Sequence, residues 1–196
     1  MDYEIITKKI GKTYCRILRP FEYEELRAVI PKDIYVDLVD LLLFSGMRYN
    51  EVEMLWETPE LFHKSTGHIH IESTKPKARI KDRYIKLNSY GKNAVRNFLR
   101  EDKRKQLVEW PPARSNFHTD LLYWMAKANL PTTAFSMKSF RKTWGSWLCE
   151  AHAEKVLKIC LSMGHTSTVA LDHYLELPFS EEDKKKIAEY TRGWGD

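Results

Sequence analysis

The amino-acid sequence predicts an α+β protein that is mostly helical and carries one small antiparallel β-sheet. In the second half of the chain, apolar residues recur at a spacing near 3.6, as on the buried face of a helix. Before it, "HIHIEST" and "RYIKLN" alternate apolar with polar residues on either side of the basic turn "KPKARIKD", which is typical of a hairpin. With 43% hydrophobic and 30% charged residues, a chain of 196 residues can bury the core of one domain.

Three segments are expected along the chain. Residues 1–20 are predicted to form an extended lead-in, residues 21–178 the main domain and residues 179–196 a C-terminal helix. The main domain starts with two predicted helices, "FEYEELRAVI" and "DIYVDLVDLLLFSG", and the second of them ends at a glycine. After the hairpin, the predicted helices are "YGKNAVRNFLRED", "NFHTDLLYWMAKANL", "MKSFRKTWGSWLCEAHA", "EKVLKICLSMG" and "TVALDHYLEL".

Charge and cysteine content limit the class of protein. A net charge of +5 permits a polyanionic partner without requiring one. Cys15, Cys149 and Cys160 form no CxxC pair and no Cys/His ligand spacing, so we expect neither a zinc site nor a disulfide framework. The longest apolar run, "VDLVDLLLF", is too short to cross a bilayer, and the N-terminus has no signal-peptide pattern. We therefore expect a cytoplasmic protein without a membrane segment.

Two stretches in the first half of the chain contain candidate functional residues. In "SGMRYNEVEML", Arg48 follows a predicted helix end and precedes Glu51 by three residues, so that the carboxylate can orient the guanidinium. At the hairpin tip, Lys75, Lys77 and Lys81 provide ammonium groups that can contact phosphate or give a proton to a leaving oxygen. Taken singly, these residues are better explained as a surface salt bridge and a solvated basic turn.

Two further stretches lie in the helical half. In "MKSFRKTWGSWL", Lys138 and Arg141 share one face of a predicted helix, and an arginine held on a helix suits a bidentate phosphate clamp. In "LSMGHTSTVALDHYLEL", His165 stands nine residues before Tyr174. A basic solvent face in the first stretch and packing residues in the second are the alternatives that the residues leave open.

In this order and with this internal spacing, the four stretches resemble the boxes of the tyrosine recombinase (phage integrase) family. That family has a Gly-x-Arg-x-x-Glu box, a hairpin lysine, a His-x-x-Arg box that continues like "RHTFATHL", and a Leu-Gly-His box with a tyrosine nine residues after its histidine. Here "RKTWGSWL" aligns with the third box without a gap, and "MGH" keeps the nine-residue step to Tyr174. The resemblance covers residues 20–180 and implies the catalytic fold of that family.

The resemblance also implies a chemistry, which is DNA cleavage and rejoining without a metal, ATP or another cofactor. Arg48 and Arg141 would hold the nonbridging oxygens of a phosphodiester, with Glu51 supporting the first arginine. Tyr174 would attack the phosphorus and form a 3′-phosphotyrosyl intermediate, while His165 donates a hydrogen bond to a nonbridging oxygen.

The basic residues of the boxes carry the remaining roles that the resemblance implies. Lys75 would be the acid for the leaving 5′-oxygen, but the hairpin tip is longer than usual in the family, so Lys77 stays an alternative. Lys138 stands where the family most often has histidine, a replacement that some archaeal viral integrases share. Lys142 replaces the histidine that commonly follows the arginine. The residues expected to contact DNA are Lys77, Arg79, Lys81 and Lys142.

On this resemblance we expect a recombinase or integrase of a mobile element or virus, located in the host cytoplasm or at the nucleoid. Its partners would be double-stranded DNA and other copies of itself, in a tetramer, because exchange between two duplexes needs four active sites. The family's N-terminal core-binding domain has no counterpart here, as in a catalytic fragment or an unusually short member. A type IB topoisomerase-like nicking-closing enzyme and a noncatalytic DNA-binding protein with the same fold are the alternatives.

The C-terminal segment has two possible positions. Ser180 is a suitable N-cap, acidic residues fill the first turn, and Ile187, Tyr190 and Trp194 form an apolar stripe. In related recombinases the segment after the tyrosine packs on a neighbouring protomer or folds back in cis. We expect docking on a neighbouring protomer, with coverage of its own core as the alternative.

Overall fold

The computed structural model describes residues 4–72, 82–107, 109–164 and 177–195. Within these ranges the chain forms two small antiparallel sheets, nine α-helices and two 3₁₀ turns at Pro59–Leu61 and Ala153–Lys155. The strands are β1 (Ile6–Ile10), β2 (Thr13–Ile17), β3 (Phe62–His63), β4 (His68–Glu72) and β5 (Asp82–Lys86). The helices are α1 (Pro20–Val29), α2 (Asp33–Ser45), α3 (Tyr49–Glu57), α4 (Ser89–Phe98), α5 (Glu101–Gln106), α6 (Arg114–Lys127), α7 (Met137–Ala151), α8 (Val156–Met163) and α9 (Glu181–Thr191).

The prediction of a mostly helical α+β protein with a small antiparallel sheet is confirmed. One predicted helix, "YGKNAVRNFLRED", is interrupted, because α4 ends at Phe98 and α5 begins at Glu101. The predicted helix "TVALDHYLEL" and nearly all of the basic turn "KPKARIKD" lie outside the described residues. No helix in the described ranges is both long enough and apolar enough to cross a membrane.

The segment expected to be a lead-in contains a sheet that the sequence did not predict. β1 and β2 form a hairpin in which Ile10 pairs with Thr13. Gly11 has a φ of 60° at the first position of the two-residue loop, as a type II′ turn requires. Apolar and polar residues do not alternate clearly in β2, because consecutive residues on both of its faces, Cys15, Arg16 and Ile17, are buried. This explains why the sequence pattern of the strand was weak.

The β1–β2 hairpin is joined to the core rather than separate from it. The backbone N–H of Leu18 donates to Thr143 Oγ1 at 2.8 Å, and the indole Nε1 of Trp147 donates to the Leu18 carbonyl at 3.0 Å. The N–H of Arg16 donates to the carbonyl of Ala134, in the loop before α7. These bonds fix the end of the hairpin against the middle of α7 and the loop before it.

Helices α2 and α7 form the centre of the core. In α2, buried residues occur on every side of the helix, and in α7 Phe140, Trp144, Trp147 and Leu148 are almost fully buried. Beside them, the three-stranded sheet turns Ile69 and Ile85, which are paired across β4 and β5, toward the core. The predicted alternation of buried and exposed residues in β4 and β5 is confirmed.

Helix α9 covers its own core, which is the second of the two positions considered for it. Ser180 caps the helix through a reciprocal pair of bonds with Asp183, as predicted for its N-terminus. Ile187 and Trp194 are fully buried within the chain, and the Trp194 indole donates to the Lys86 carbonyl at 3.0 Å. The apolar stripe expected to dock on a neighbouring protomer is therefore used in cis, because aromatic residues of α1, α2 and α7 surround it.

Gly46, which ends α2, is expected to tolerate no side chain. Its φ is 62°, and a Cβ atom there would lie 2.8 Å from Met163 Sδ and 3.1 Å from a Trp144 ring carbon. We expect Gly46→Ala to lower the free energy of unfolding by about 3 kcal/mol, since a strained backbone and overpacking add together. Gly11→Ala is the control, because its φ is 60° but its surroundings are open, and backbone strain alone predicts about 1 kcal/mol. Urea unfolding measures both, and equal losses would contradict the packing argument.

Candidate functional site

A pocket of about 300 Å³ collects basic side chains from three separate parts of the chain. We call it the cationic pocket. Five of the residues that line it are arginine or lysine, and none of the described residues that line it is acidic. Such a concentration of positive charge favours an anionic group of small size. The lining residues are Met47, Arg48, Tyr49, Asn50, Arg114, Met137, Lys138, Arg141 and Lys142.

Arg48 lies at the N-terminus of α3, where the chain turns after Gly46. Its backbone N–H donates to a carboxylate oxygen of Glu51 at 2.7 Å, and its guanidinium donates to the other oxygen at 2.8 Å. The side chain of Arg48 is 49% exposed while that of Glu51 is 7% exposed. The predicted pairing is confirmed, and it leaves the guanidinium accessible from the pocket with its orientation fixed from behind.

Glu51 has a second partner, Arg83 on β5, which the sequence analysis missed. The Arg83 guanidinium donates to Glu51 at 2.6 Å, and both side chains are almost fully buried. Burial alone would raise the pKa of Glu51, but the charge of Arg83 and the backbone bond from Arg48 outweigh it and hold the pKa below its ordinary value. Glu51 therefore stays ionised and ties α3 to β5.

Arg141 is held more tightly than a surface arginine on α7 would be. It is 7% exposed, and its two terminal nitrogens donate to the carbonyls of Gly46, at 2.5 Å, and Met163. These carbonyls lie at the C-terminal ends of α2 and α8. Arg141 thus contributes to the pocket lining and at the same time fixes the ends of the two helices beside it.

Three further cations complete the pocket lining. Lys138 and Arg114 are exposed, at the N-terminal ends of α7 and α6. Lys142 is half-buried, and this burial lowers the pKa of its ammonium group from 10.5 to about 8, with the neighbouring Arg141 charge adding to the effect. Lys142 is therefore the pocket cation whose charge changes most readily near neutral pH.

The depressed pKa of Lys142 predicts a dependence of stability on pH. Between about pH 8 and pH 10.5 the unfolded chain binds a proton at Lys142 that the folded chain does not, so stability rises with pH in that window. Below pH 8 both states are protonated and the unfavourable burial of the charge is fully present. We expect the free energy of unfolding of the wild type, relative to Lys142→Met, to increase across this window in urea titrations.

The exposed Lys138 provides the control for this measurement. Lys138→Met removes an exposed lysine from the same helix and keeps Lys142, so this variant should retain the increase of stability that Lys142 causes from pH 8 to pH 10.5. If Lys138→Met loses this increase to the same extent as Lys142→Met, the assignment of the effect to Lys142 is wrong.

The structure thus brings together four of the residues singled out from the sequence: Arg48, Lys138, Arg141 and Lys142, with Glu51 behind the first. The predicted hairpin residues Lys75, Lys77, Arg79 and Lys81 lie outside the described residues, as do His165 and Tyr174. Gly164, which directly precedes His165 in the sequence, is described and lies beside Arg83. A Cβ atom at Gly164 would be 2.8 Å from the Arg83 guanidinium.

Two site residues were missed, and one of them had a signal in the sequence. Arg83 occupies the inward register of β5, the same face as Ile85, and a charged residue at a core position of a strand usually has a buried partner. Arg114 follows the Pro111–Pro112 pair at a helix start, which says nothing about the tertiary position of its side chain. Within the described ranges, no three His, Cys, Asp or Glu side chains are arranged to hold a metal ion.

Comparison with known proteins gives no match to this chain among family models, curated proteins or solved structures. The function is therefore inferred from the four sequence stretches and from the geometry of the cationic pocket.

Proposed function

We propose that this chain is a site-specific DNA recombinase of the tyrosine recombinase type, and that it has the catalytic fold of that family. The observation that carries the proposal is the meeting of Arg48 and Arg141 in one pocket, with Lys138 one helical turn before Arg141. These residues come from two stretches far apart in the sequence, and both stretches were singled out by their resemblance to that family. An integrase of a mobile element or virus is the activity this supports best.

In the proposed reaction the pocket binds the phosphate at the cleavage point. The guanidinium groups of Arg48 and Arg141 donate to the nonbridging oxygens, where negative charge accumulates as the phosphorus is attacked. Tyr174 forms the new bond from its phenolic oxygen to phosphorus, the bond from phosphorus to the 5′-oxygen breaks, and the 5′-oxygen leaves as a hydroxyl. His165 adds a further hydrogen bond to a nonbridging oxygen. Attack by a 5′-hydroxyl on the phosphotyrosine reverses these steps and rejoins the strand.

Two protons must move in this reaction. The phenol loses its proton on attack, and the 5′-alkoxide takes one up on leaving. Lys75 is proposed as the acid for the 5′-oxygen, with Lys77 as the alternative, and Lys138 as the basic group that assists proton transfer near Tyr174 or holds the phosphate. Because Lys142 has its pKa lowered to about 8, the positive charge that it carries into the same pocket decreases as the pH rises through this value.

The proposed partners follow from the reaction. Double-stranded DNA binds through lysines and arginines that contact its backbone in a salt-dependent manner. Exchange between two duplexes requires four copies of the chain, assembled on the DNA as a tetramer. Because the apolar stripe of α9 is buried in cis, the surfaces that join the copies lie elsewhere. The proposed location is the host cytoplasm or nucleoid.

One observation favours a second candidate, a DNA-binding protein without catalysis. Both terminal nitrogens of Arg141 donate to backbone carbonyls, so this guanidinium has a structural role whether or not phosphate binds. Arg141 also lines the cationic pocket beside Arg48, however, which is the position that a phosphate contact requires. The two candidates therefore differ in whether a covalent intermediate forms.

A nicked DNA substrate tests the proposal directly. When cleavage occurs next to a nick, the short fragment that begins with the new 5′-hydroxyl diffuses away and the covalent protein–DNA adduct accumulates. With a pool of nicked duplexes of randomised sequence, we expect an SDS-resistant adduct from wild type and from Tyr123→Phe, an exposed tyrosine outside the pocket, but none from Tyr174→Phe. An adduct from Tyr174→Phe, or no adduct from any of the three, would contradict the proposal.

The hairpin acid can be identified with a modified leaving group. A substrate with sulfur at the bridging 5′ position releases a thiolate, which needs no proton because a thiol has a pKa of about 8.5. We expect Lys75→Ala to cleave the ordinary substrate poorly and the sulfur substrate normally. If Lys77→Ala shows this behaviour and Lys75→Ala does not, Lys77 is the acid.

Supercoiled plasmids separate recombination from topoisomerase-like activity. Plasmids that carry a recovered target site should yield recombinant products, whereas relaxation of plasmids with and without the site, and no recombinants, would identify a nicking-closing enzyme instead.

A further inference from the structure

A second groove adjoins the cationic pocket, and we call it the flanking groove. It has a volume of about 730 Å³ and lies between β2, the first turns of α6 and the loop that leads into α7. Arg114, Met137 and Lys138 line both the groove and the cationic pocket. The two are therefore parts of one continuous surface, and a chain bound in the pocket can extend into the groove.

The groove combines an exposed aromatic ring with positive charge. Tyr14 on β2 lines it with 61% of its surface exposed, although nothing in a hairpin requires an exposed tyrosine. Arg114 and Lys138 supply cations along it, and Lys9, which is paired with Tyr14 across the hairpin, is exposed as well. Among the described residues that line the groove, none is acidic. Stacking rings beside backbone-binding cations are the features with which proteins bind single-stranded nucleic acid.

We propose that the flanking groove binds single-stranded DNA, namely the strand end released by cleavage in the cationic pocket. One base of this strand stacks on Tyr14, and Arg114 and Lys138 contact its phosphates. The inference rests on the proposed function for the identity of the strand. It assigns to the β1–β2 hairpin the task of holding the released end until it is exchanged.

The size of the groove and the course of the reaction both favour a single strand. A volume of this order is that of a small-ligand site and can accommodate one unstacked nucleotide, which an intact duplex does not offer. After cleavage the released end carries only a hydroxyl and must leave its own duplex before it can attack a partner strand. Bases that leave a duplex lose their stacking neighbours, and an exposed ring beside the phosphate site replaces one of them.

Binding to a single strand tests this without any need for cleavage. The probe is a fluorescent oligothymidine of about 12 nucleotides, within the length that one single-strand site covers. We expect Tyr14→Ala to weaken its binding about tenfold and Tyr14→Phe, which keeps the ring, to bind like wild type. Tyr123→Ala is the matched control, since Tyr123 is 65% exposed but does not line the groove, and it should bind like wild type. Thermal unfolding checks that the variants are folded.

The contribution of charge is measured by the salt dependence of binding. Arg114→Gln should reduce the slope of log affinity against log salt by about 0.7, as expected for one lost phosphate contact on a single strand. Arg96→Gln, which removes an exposed arginine on α4 outside the groove, should reduce it less.

Three outcomes would overturn the proposal. Tyr14→Ala could bind the oligothymidine as tightly as wild type, or Tyr14→Ala and Tyr123→Ala could lose the same affinity for it. The third is an equal loss of affinity of Tyr14→Ala for a blunt duplex. The nicked-substrate experiment distinguishes this failure from failure of the proposed function. If wild type forms the adduct and Tyr14→Ala binds the oligothymidine like wild type, only the single-strand role of the flanking groove is rejected. No adduct, with weakened strand binding by Tyr14→Ala, rejects strand exchange and supports a single-strand site.

Discussion

Arg16→Met is expected to lower the free energy of unfolding by about 3–5 kcal/mol, because it removes one partner of a buried ion pair and leaves the carboxylate of Glu22 in place. The side chains of Arg16 and Glu22 are both fully buried and form an ion pair between β2 and α1. Arg16 also donates to the carbonyl of Pro131, so its guanidinium connects three segments. Chemical denaturation with urea measures the loss, and the midpoint should shift without a change of slope.

Two comparisons isolate the buried charge as the cause. Arg27→Met removes an arginine that is 49% exposed from an ion pair with Asp40, and such a pair contributes at most about 1 kcal/mol. In the double variant Arg16→Met with Glu22→Gln the buried carboxylate charge is removed as well, so the loss should be smaller than for Arg16→Met alone. If the double variant is less stable than the single one, the interpretation is wrong.

Arg48→Gln is expected to reduce the rate of covalent adduct formation by about 100-fold or more, the effect of losing one preorganised donor to a developing oxyanion. Stability should change by no more than about 1 kcal/mol, since the Arg48 side chain is half exposed and Glu51 keeps its buried partner Arg83. Single-turnover cleavage of the nicked substrate gives the rate, and urea unfolding gives the stability.

Arg100→Gln is the matched control for this experiment. Arg100 is 54% exposed and pairs with Asp102, but it does not line the cationic pocket. Its substitution should leave the rate unchanged. A rate for Arg48→Gln within a few-fold of both wild type and Arg100→Gln would remove Arg48 from the proposed reaction.

Local patterns predicted those features of the fold that depend on neighbours in the sequence. The glycine at the end of α2, the cap of α9 and the alternation of β4 and β5 all follow from residues within one or two turns of each other. The orientation of Arg48 by Glu51 was predictable for the same reason, because the two residues share the first turn of α3.

Features that depend on contacts between distant segments could not be predicted in this way. The β1–β2 hairpin is stabilised by the docking of Leu18 on α7 and by the Arg16–Glu22 pair, neither of which leaves a local pattern. The pairing of Glu51 with Arg83 joins residues on a helix and a strand that only the tertiary fold brings together. The same holds for α9, whose apolar stripe is compatible with burial against any apolar surface.

The burial of Trp194 connects the segment after α9 to the strand that supports the cationic pocket. Its indole donates to the Lys86 carbonyl at the end of β5, and β5 also carries Arg83, which holds Glu51 and thereby Arg48. Removal of Trp194 would therefore loosen β5 and disturb the orientation of the Arg48 guanidinium. Truncated forms of this protein should be designed to end after that tryptophan.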